Sequence, residues 1–316
     1  MANFIDVSGL TYCGQEAQEI FSKDIYELPL YDFITLQDGV KGKKKLYSGE
    51  MGDVWQAYTC PFTPDGEVVL SEDYIEPAAI KVNQENCYDA FWNTFLVEQT
   101  QISLRGGIPQ TFAEWYFDRL RREMSKEYQE IFWRGDTGYS GTTKQYLKVT
   151  DGVEAQLDAK VPSGNTITGS VFTVSNIIAQ VEAAVMKAIE IAADAETDTE
   201  NFKIMMNHND VRLLEVALGK DCSCNNAVQI FNNYARANGK IYVMGFEVIE
   251  TMQSRNTIIV GPSKNLVLGF DTFDSHIEYK LIDMRNTTGD NMFRVLAISN
   301  IAVGIIYPEL FVVSKP

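Results

Sequence analysis

EYQEIFWRGD, residues 127–136, closes the longest helical pattern in the chain and contains the tripeptide Arg134-Gly135-Asp136. Upstream, Phe112, Tyr116, Leu120, Met124 and Tyr128 recur every four residues, joined by Trp115 and Ile131. That spacing marks one buried helix face. Thr111 and Glu114 stand in capping-box relation, two residues after Pro109. Asp118 with Arg122 and Glu123 with Lys126 fall at i,i+4 and i,i+3. The pattern predicts a helix over 111–133, about 35 Å long at a rise of about 1.5 Å per residue. Arg134 would then complement the helix dipole, Gly135 would supply a left-handed stop, and Asp136 would begin the next turn. The tripeptide reads as a helix ending. An adhesion signal would need an export segment, and MANFIDVSGL (1–10) has neither a basic start nor a long apolar core.

Toward the N-terminus, residues 1–33 read as an arm. Ala17, Ile20 and Phe21 could share one side of a short amphipathic turn within 15–24. A basic run follows, Lys41, Lys43, Lys44 and Lys45, around the Gly39/Gly42 pair. From 45 to 82 the signals are β. VWQAYTC (54–60) and EVVL (67–70) flank Pro61 and the Pro64-Asp65-Gly66 turn, where proline presets φ and glycine accepts a positive one. The result is a long hairpin bearing Trp55, Tyr58 and Tyr74. A two-stranded ribbon is marginal alone in water, so it must lie on its own body or on another subunit.

Toward the C-terminus the reading is a β-like stretch over 145–157, a polar loop over 162–169 and a second helix over 175–192. Ile178, Val181, Val185, Ala188 and Ala192 form the buried stripe of that helix. Asp194, Glu196, Asp198 and Glu200 follow in consecutive polar sequence, without the glycine and spacing of a calcium loop, and read as a solvated turn. A strand over 202–206 and a helix over 210–218, capped near Asn209 and stopped by Gly219, come next. A further helix is predicted over 226–237. The last quarter reads as strands over 241–244, 246–250, 257–260, 265–268, 277–284, 292–299 and 301–313. Helices precede strands with no βαβ alternation, which gives an α+β class.

Composition bounds the chemistry. The 316 residues are 45% hydrophobic and 22% charged, enough for a proper core. A net charge of −16 argues against gripping nucleic acid by phosphate neutralisation, yet suits enclosing it without adhesion. No run of about twenty apolar residues could span a membrane. The five cysteines are scattered and are expected to be reduced thiols of a protein made in cytosol. GYSGTTK lacks the ending of a phosphate-binding loop, and neither a G-x-G-x-x-G nor a G-x-S-x-G motif is present. His208 and His276 are the only histidines, and Cys222-Ser223-Cys224 is too tightly spaced for a zinc framework. No catalytic residue, cofactor or metal is expected.

The order of these elements resembles the tailed-bacteriophage major capsid proteins of the Hong Kong 97 fold. Three stretches carry the resemblance: EYQEIFWRGD with LKVTDG (147–152); NFKIMMNHNDVRLLEVALG (201–219); and GFEVIETMQSRNTIIVGPSKNLVLGFD (245–271) with DMRNTTGDNMFRV and IAVGIIYPELFVV. Over the first hundred residues it rests on element order. The resemblance implies an N-terminal arm (1–33), an extended β-hairpin loop (34–83), a peripheral domain with a spine helix (84–160), an axial domain (161–245) and strands returning to the peripheral domain (246–316). It implies a structural protein that assembles with copies of itself, as pentamers and hexamers, into an icosahedral shell around double-stranded DNA. A separate scaffold and a portal would be partners, and the virion capsid would be its location after synthesis in the host cytoplasm. The interface residues implied are Phe4 and Ile5 of the arm, and Lys43, Lys44, Lys45, Trp55, Tyr58 and Tyr74 of the ribbon. An encapsulin-like compartment shell, or a soluble enzyme whose site forms only on folding, are the alternatives.

Overall fold

The computed structural model describes residues 11–13, 29–51, 68–104, 112–221, 234–237, 240–271, 278–286 and 288–316. The long helix is there: α2 (Phe112–Arg134) follows α1 (Tyr88–Leu104), which periodicity does not predict. In α1 the apolar residues go all round, with Phe95 buried while Leu96 and Val97 are exposed, so no single stripe stands out. The start of α2 packs on α1 through an aromatic cluster of Tyr88, Phe95, Phe112, Trp115, Tyr116 and Phe293. Most of its rings meet edge-on or tilted, as at Phe112–Phe293 (5.4 Å, 83°), a geometry their quadrupoles favour.

Among the described residues, fifteen strands form three sheets. The first runs β1 (Thr11–Cys13), β13 (Glu278–Asp283), β14 (Met292–Ile305), β12 (Leu266–Gly269) and β2 (Thr35–Gln37), with β5 (Ala78–Cys87) also on β14. The second has seven strands: β6 (Thr166–Thr168), β15 (Val312–Lys315), β11 (Ile258–Pro262), β7 (Phe202–Asn207), β10 (Phe246–Thr251), β9 (Lys240–Val243) and β8 (Tyr234–Ala237). The third is a two-stranded ribbon, β3 (Lys44–Met51) and β4 (Val68–Ile75).

Helices α4 (Ile177–Asp194) and α5 (His208–Asp221) cover one face of the seven-stranded sheet. There Val181, Val185 and Ala188 meet Phe202, Ile204, Met206 and Val260. Met205, Ile259 and Val313 point the other way, into a core shared with Tyr128, Ile131, Phe132 and Trp133 of α2. Both faces of β7 are therefore buried, which is why Ile204-Met205-Met206 is continuously apolar. The shared core ties the two large sheets together, since it also takes Leu266, Leu268, Ala297 and Ile301.

Four sequence expectations are corrected. Residues 145–157 are not a strand but a 3-10 turn (Gln145–Lys148) and α3 (Val153–Lys160), because Val153 and Leu157 bury one helical turn apart. Residues 234–237 extend a sheet edge as β8, with Tyr234 opposite Val243, instead of ending a helix; 222–233 lie outside the described residues. The break expected at 300 is absent: Asn300 pairs with Ala79, and the chain turns only at Tyr307 and Pro308.

The fourth correction concerns Gly135. It is not left-handed; among the described glycines only Gly39, Gly245 and Gly289 have positive φ. It is glycine because two backbones cross there. A Cβ on Gly135 would lie 2.3 Å from the Thr150 carbonyl oxygen, and one on Gly152 would lie 2.7 Å from the Gly135 nitrogen. The Gly135 amide donates to Ile131 O (2.9 Å), and the Gly152 amide donates to Gly135 O (2.8 Å). Asp136 donates its amide to Leu147 O (2.8 Å), while its carboxylate accepts the Gly138 amide (2.8 Å). Arg-Gly-Asp is thus built into a helix ending, as the sequence suggests, and its glycine is buried.

Near this crossing, the Glu154 carboxylate of α3 accepts the Ser254 amide from the β10–β11 loop. Burial pushes this carboxyl up, more than the Ser254 bonds and the Lys315 and Arg134 charges pull it down. The folded state therefore favours the neutral acid. The resulting penalty is absent below the ordinary glutamate range and grows as pH rises through the raised folded value. Glu154→Gln should gain stability over the parent as pH rises above the ordinary glutamate range, by chemical denaturation at each pH. A gap independent of pH would remove the titration from Glu154.

Candidate assembly interface

The ribbon pairs from Lys44 opposite Ile75 to Met51 opposite Val68, and its two strands pair only with each other among the described residues. Side chains alternate across such a ribbon, so its two faces differ. Leu46 and Ile75 point to the body and are buried with Val40, Val267 and Ala302. A Cβ on Gly304 would lie 2.2 Å from Ile75 Cγ2, so a bare backbone position in β14 makes room for the ribbon root. Burying these two side chains contributes about 3–6 kcal/mol before entropy. The hairpin thus has a small core of its own at the root.

The opposite face carries Lys45, Tyr47, Leu70, Glu72 and Tyr74, which the register places on the same side. Tyr47 is 61% exposed, Leu70 68% and Tyr74 42%. Its charges are largely answered within the face. Lys45 Nζ lies 2.6 Å from Glu72 Oε2, and Lys43 Nζ sits 4.4 Å from the Tyr74 ring centroid. The shared hydrogen bond holds the Glu72 carboxyl below its ordinary range and the Lys45 ammonium above its own. Exposed pairs of this kind add little stability. What they do is leave a neutralised face whose uncovered area is apolar and aromatic, the surface type that marks protein contacts.

Of the residues expected at an interface, Tyr74 and Lys45 lie on this face and Lys43 stacks on Tyr74, whereas Lys44, exposed, stands opposite Ile75 and falls on the other face of the ribbon. Trp55, Tyr58, Phe4 and Ile5 lie outside the described residues. Tyr47 and Leu70 were not singled out by sequence. Their signal was present in the period-2 alternation with Tyr74, but needed the hairpin register to be read.

Asp194 closes α4, and Glu196, Asp198 and Glu200 follow it in a turn, with the Glu200 amide donating to Asp198 Oδ1 (3.0 Å). Among the described residues, no group of three or more His, Cys, Asp or Glu is placed to hold a metal. None of the described helices is long and apolar enough to cross a membrane. His208 Nδ1 meets Glu250 at 2.8 Å on the surface, without a nucleophile in the pair.

No protein-family model and no curated protein matches the chain. Solved structures do. A chain of the satellite phage P4 procapsid, a particle that includes size determination (Sid) protein, matches with a TM-score of 0.59 at 11% identity, covering 94% of this chain and 98% of that one. The capsid of Myoviridae phage XM1 matches at 0.53 and 11% identity, over 99% of this chain and 95% of that one. The capsid of an empty GTA particle matches at 0.51 and 12% identity, over 100% and 93%. The α+β fold of this chain is the fold of these capsid shells, across nearly its whole length.

Proposed function

We propose that a chain with this fold and this projecting ribbon is the major capsid protein of a tailed bacteriophage, assembling with copies of itself into the icosahedral shell that encloses double-stranded DNA. The observation that carries the reading is whole-chain likeness to capsid and procapsid structures, with no large insertion needed in either partner. Its role is structural and non-enzymatic. Residues 1–33 act as an arm and 34–83 as the extended loop; 84–160, with α2 as spine, form the peripheral domain. Residues 161–245 form the axial domain, and 246–316 return to the peripheral one. The ribbon face with Tyr47, Leu70 and Tyr74 docks on a neighbouring copy, aided by Lys43–Lys45, Trp55 and Tyr58, while Phe4 and Ile5 reach another. Pentamers and hexamers close the shell with a separate scaffold and a portal.

The DNA is contained without being read. With a net charge of −16, the chain repels phosphate, so packing density is not opposed by sticking to the wall. The virion is its location, following synthesis in the host cytoplasm.

Expression alone and with neighbouring gene products tests this. Sedimentation and negative-stain microscopy should show closed shells in at least one combination, holding genome-length DNA when made during infection. A small oligomer in every combination, or shells filled with a protein cargo, would refute it.

A further inference from the structure

Tyr307 is one of five described non-glycine residues with positive φ, at φ 53° and ψ 62°. An aromatic side chain in the left-handed region is uncommon, and such outliers persist where surrounding structure holds them for a purpose. Its hydroxyl reaches across 258 positions in sequence to the ribbon. There the Gly49 amide donates to Tyr307 Oη (3.0 Å), and the same hydroxyl donates to Gly49 O (3.2 Å). A phenol has both a donor and acceptor sites, so one oxygen satisfies both backbone groups of a residue on the outer edge of β3. Gly49 faces Leu70 on its other side.

The position of that bond along the ribbon matters. Leu46 and Ile75 anchor the root, and Asp73, opposite Leu46, is paired with Lys160 of α3. Gly49 lies three residues further out, roughly 10 Å along the strand. A root alone is a pivot. A root plus a stay placed farther along a lever fixes its angle.

We infer that Tyr307 is a clasp that sets the pitch of the ribbon on the body, with the Lys160–Asp73 pair as its inner point. It is a conformational device: while it is closed, the ribbon and the seven-stranded sheet move as one piece, and when it opens, the ribbon pivots on Leu46 and Ile75. Tyr307 itself packs, half-buried, against the core under α4. Core motion at the base of β15 is thereby coupled to ribbon angle. The consequence for assembly, that pitch governs how a subunit meets its neighbour, rests on the capsid reading; the clasp does not.

Amide hydrogen exchange on the full chain as unassembled subunits tests the clasp. Tyr307→Phe keeps the ring and removes only the hydroxyl. It should speed exchange at Gly49 about tenfold, the size of one lost net hydrogen bond, and raise it severalfold throughout 44–51 and 68–75. Lys160→Ala should add to this, while α4 and β7 stay protected as in the parent. Acceleration confined to Gly49, or none, would overturn the clasp, because a merely local bond does not stiffen both strands. If subunits show the clasp but never form shells, only the capsid reading falls.

Discussion

Alanine at Gly152 is expected to cost about 3 kcal/mol or more, a large share of the stability of an ordinary domain. The added methyl would face the Gly135 nitrogen and the Ile131 and Phe132 carbonyl oxygens, each at 2.7 Å. All three are backbone atoms at the end of α2, so no side chain can swing away. Relief would require moving the helix end or the 147–152 segment, and both are held by the shared core through Ile131, Phe132, Trp133 and Val153. Gly135→Ala meets the Thr150 carbonyl at 2.3 Å and should behave alike. Gly164 is the control: nothing lies within 4 Å of its Cβ position and its φ is not positive, so alanine there should change stability within about 0.5 kcal/mol. Denaturant midpoints for the three variants decide it. Equal, small losses would mean that the crossing is not as tight as drawn.

The second large effect is on association. Leu70→Asp should raise the concentration needed for shell formation roughly 30-fold or more, from the loss of one centrally placed apolar contact and the burial of an unpaired charge. Repetition of that contact in every subunit would multiply the effect. The folded subunit should scarcely notice, because Leu70 is 68% exposed and lies away from the root. Leu46→Asp separates the two faces: Leu46 is buried with Ile75 and Val267, so the same charge there should loosen the ribbon and lower subunit stability. Light scattering during assembly, beside thermal unfolding of subunits, measures both. Normal assembly by Leu70→Asp would move the interface elsewhere.

What could be read before the structure, and what could not, follows from the range of the interactions involved. The α2 face was legible because its residues lie four apart on one helix and share one core. That this helix ends at Arg134 was legible too. The reason for Gly135 was not, because the carbonyl that forbids a Cβ belongs to Thr150, fifteen positions on and across a turn. Local helix-stop chemistry gave the right residue for the wrong cause. Similarly, Leu147 to Leu157 resembles a strand in composition, and only the burial of Val153 and Leu157 against α2 makes it helical. The exposed strip of the ribbon needed its register. Tyr307 and Gly49 have no sequence signal linking them.

A density map of the assembled particle, at a resolution that shows side chains on β3 and β4, bears hardest on whether this chain completes itself among its copies. Tyr47, Leu70 and Tyr74 should be found covered by a neighbouring subunit, with Leu46 and Ile75 still seated beside Gly304 of their own chain. Particles in which that strip faces solvent, or folds back on its own body, would contradict it.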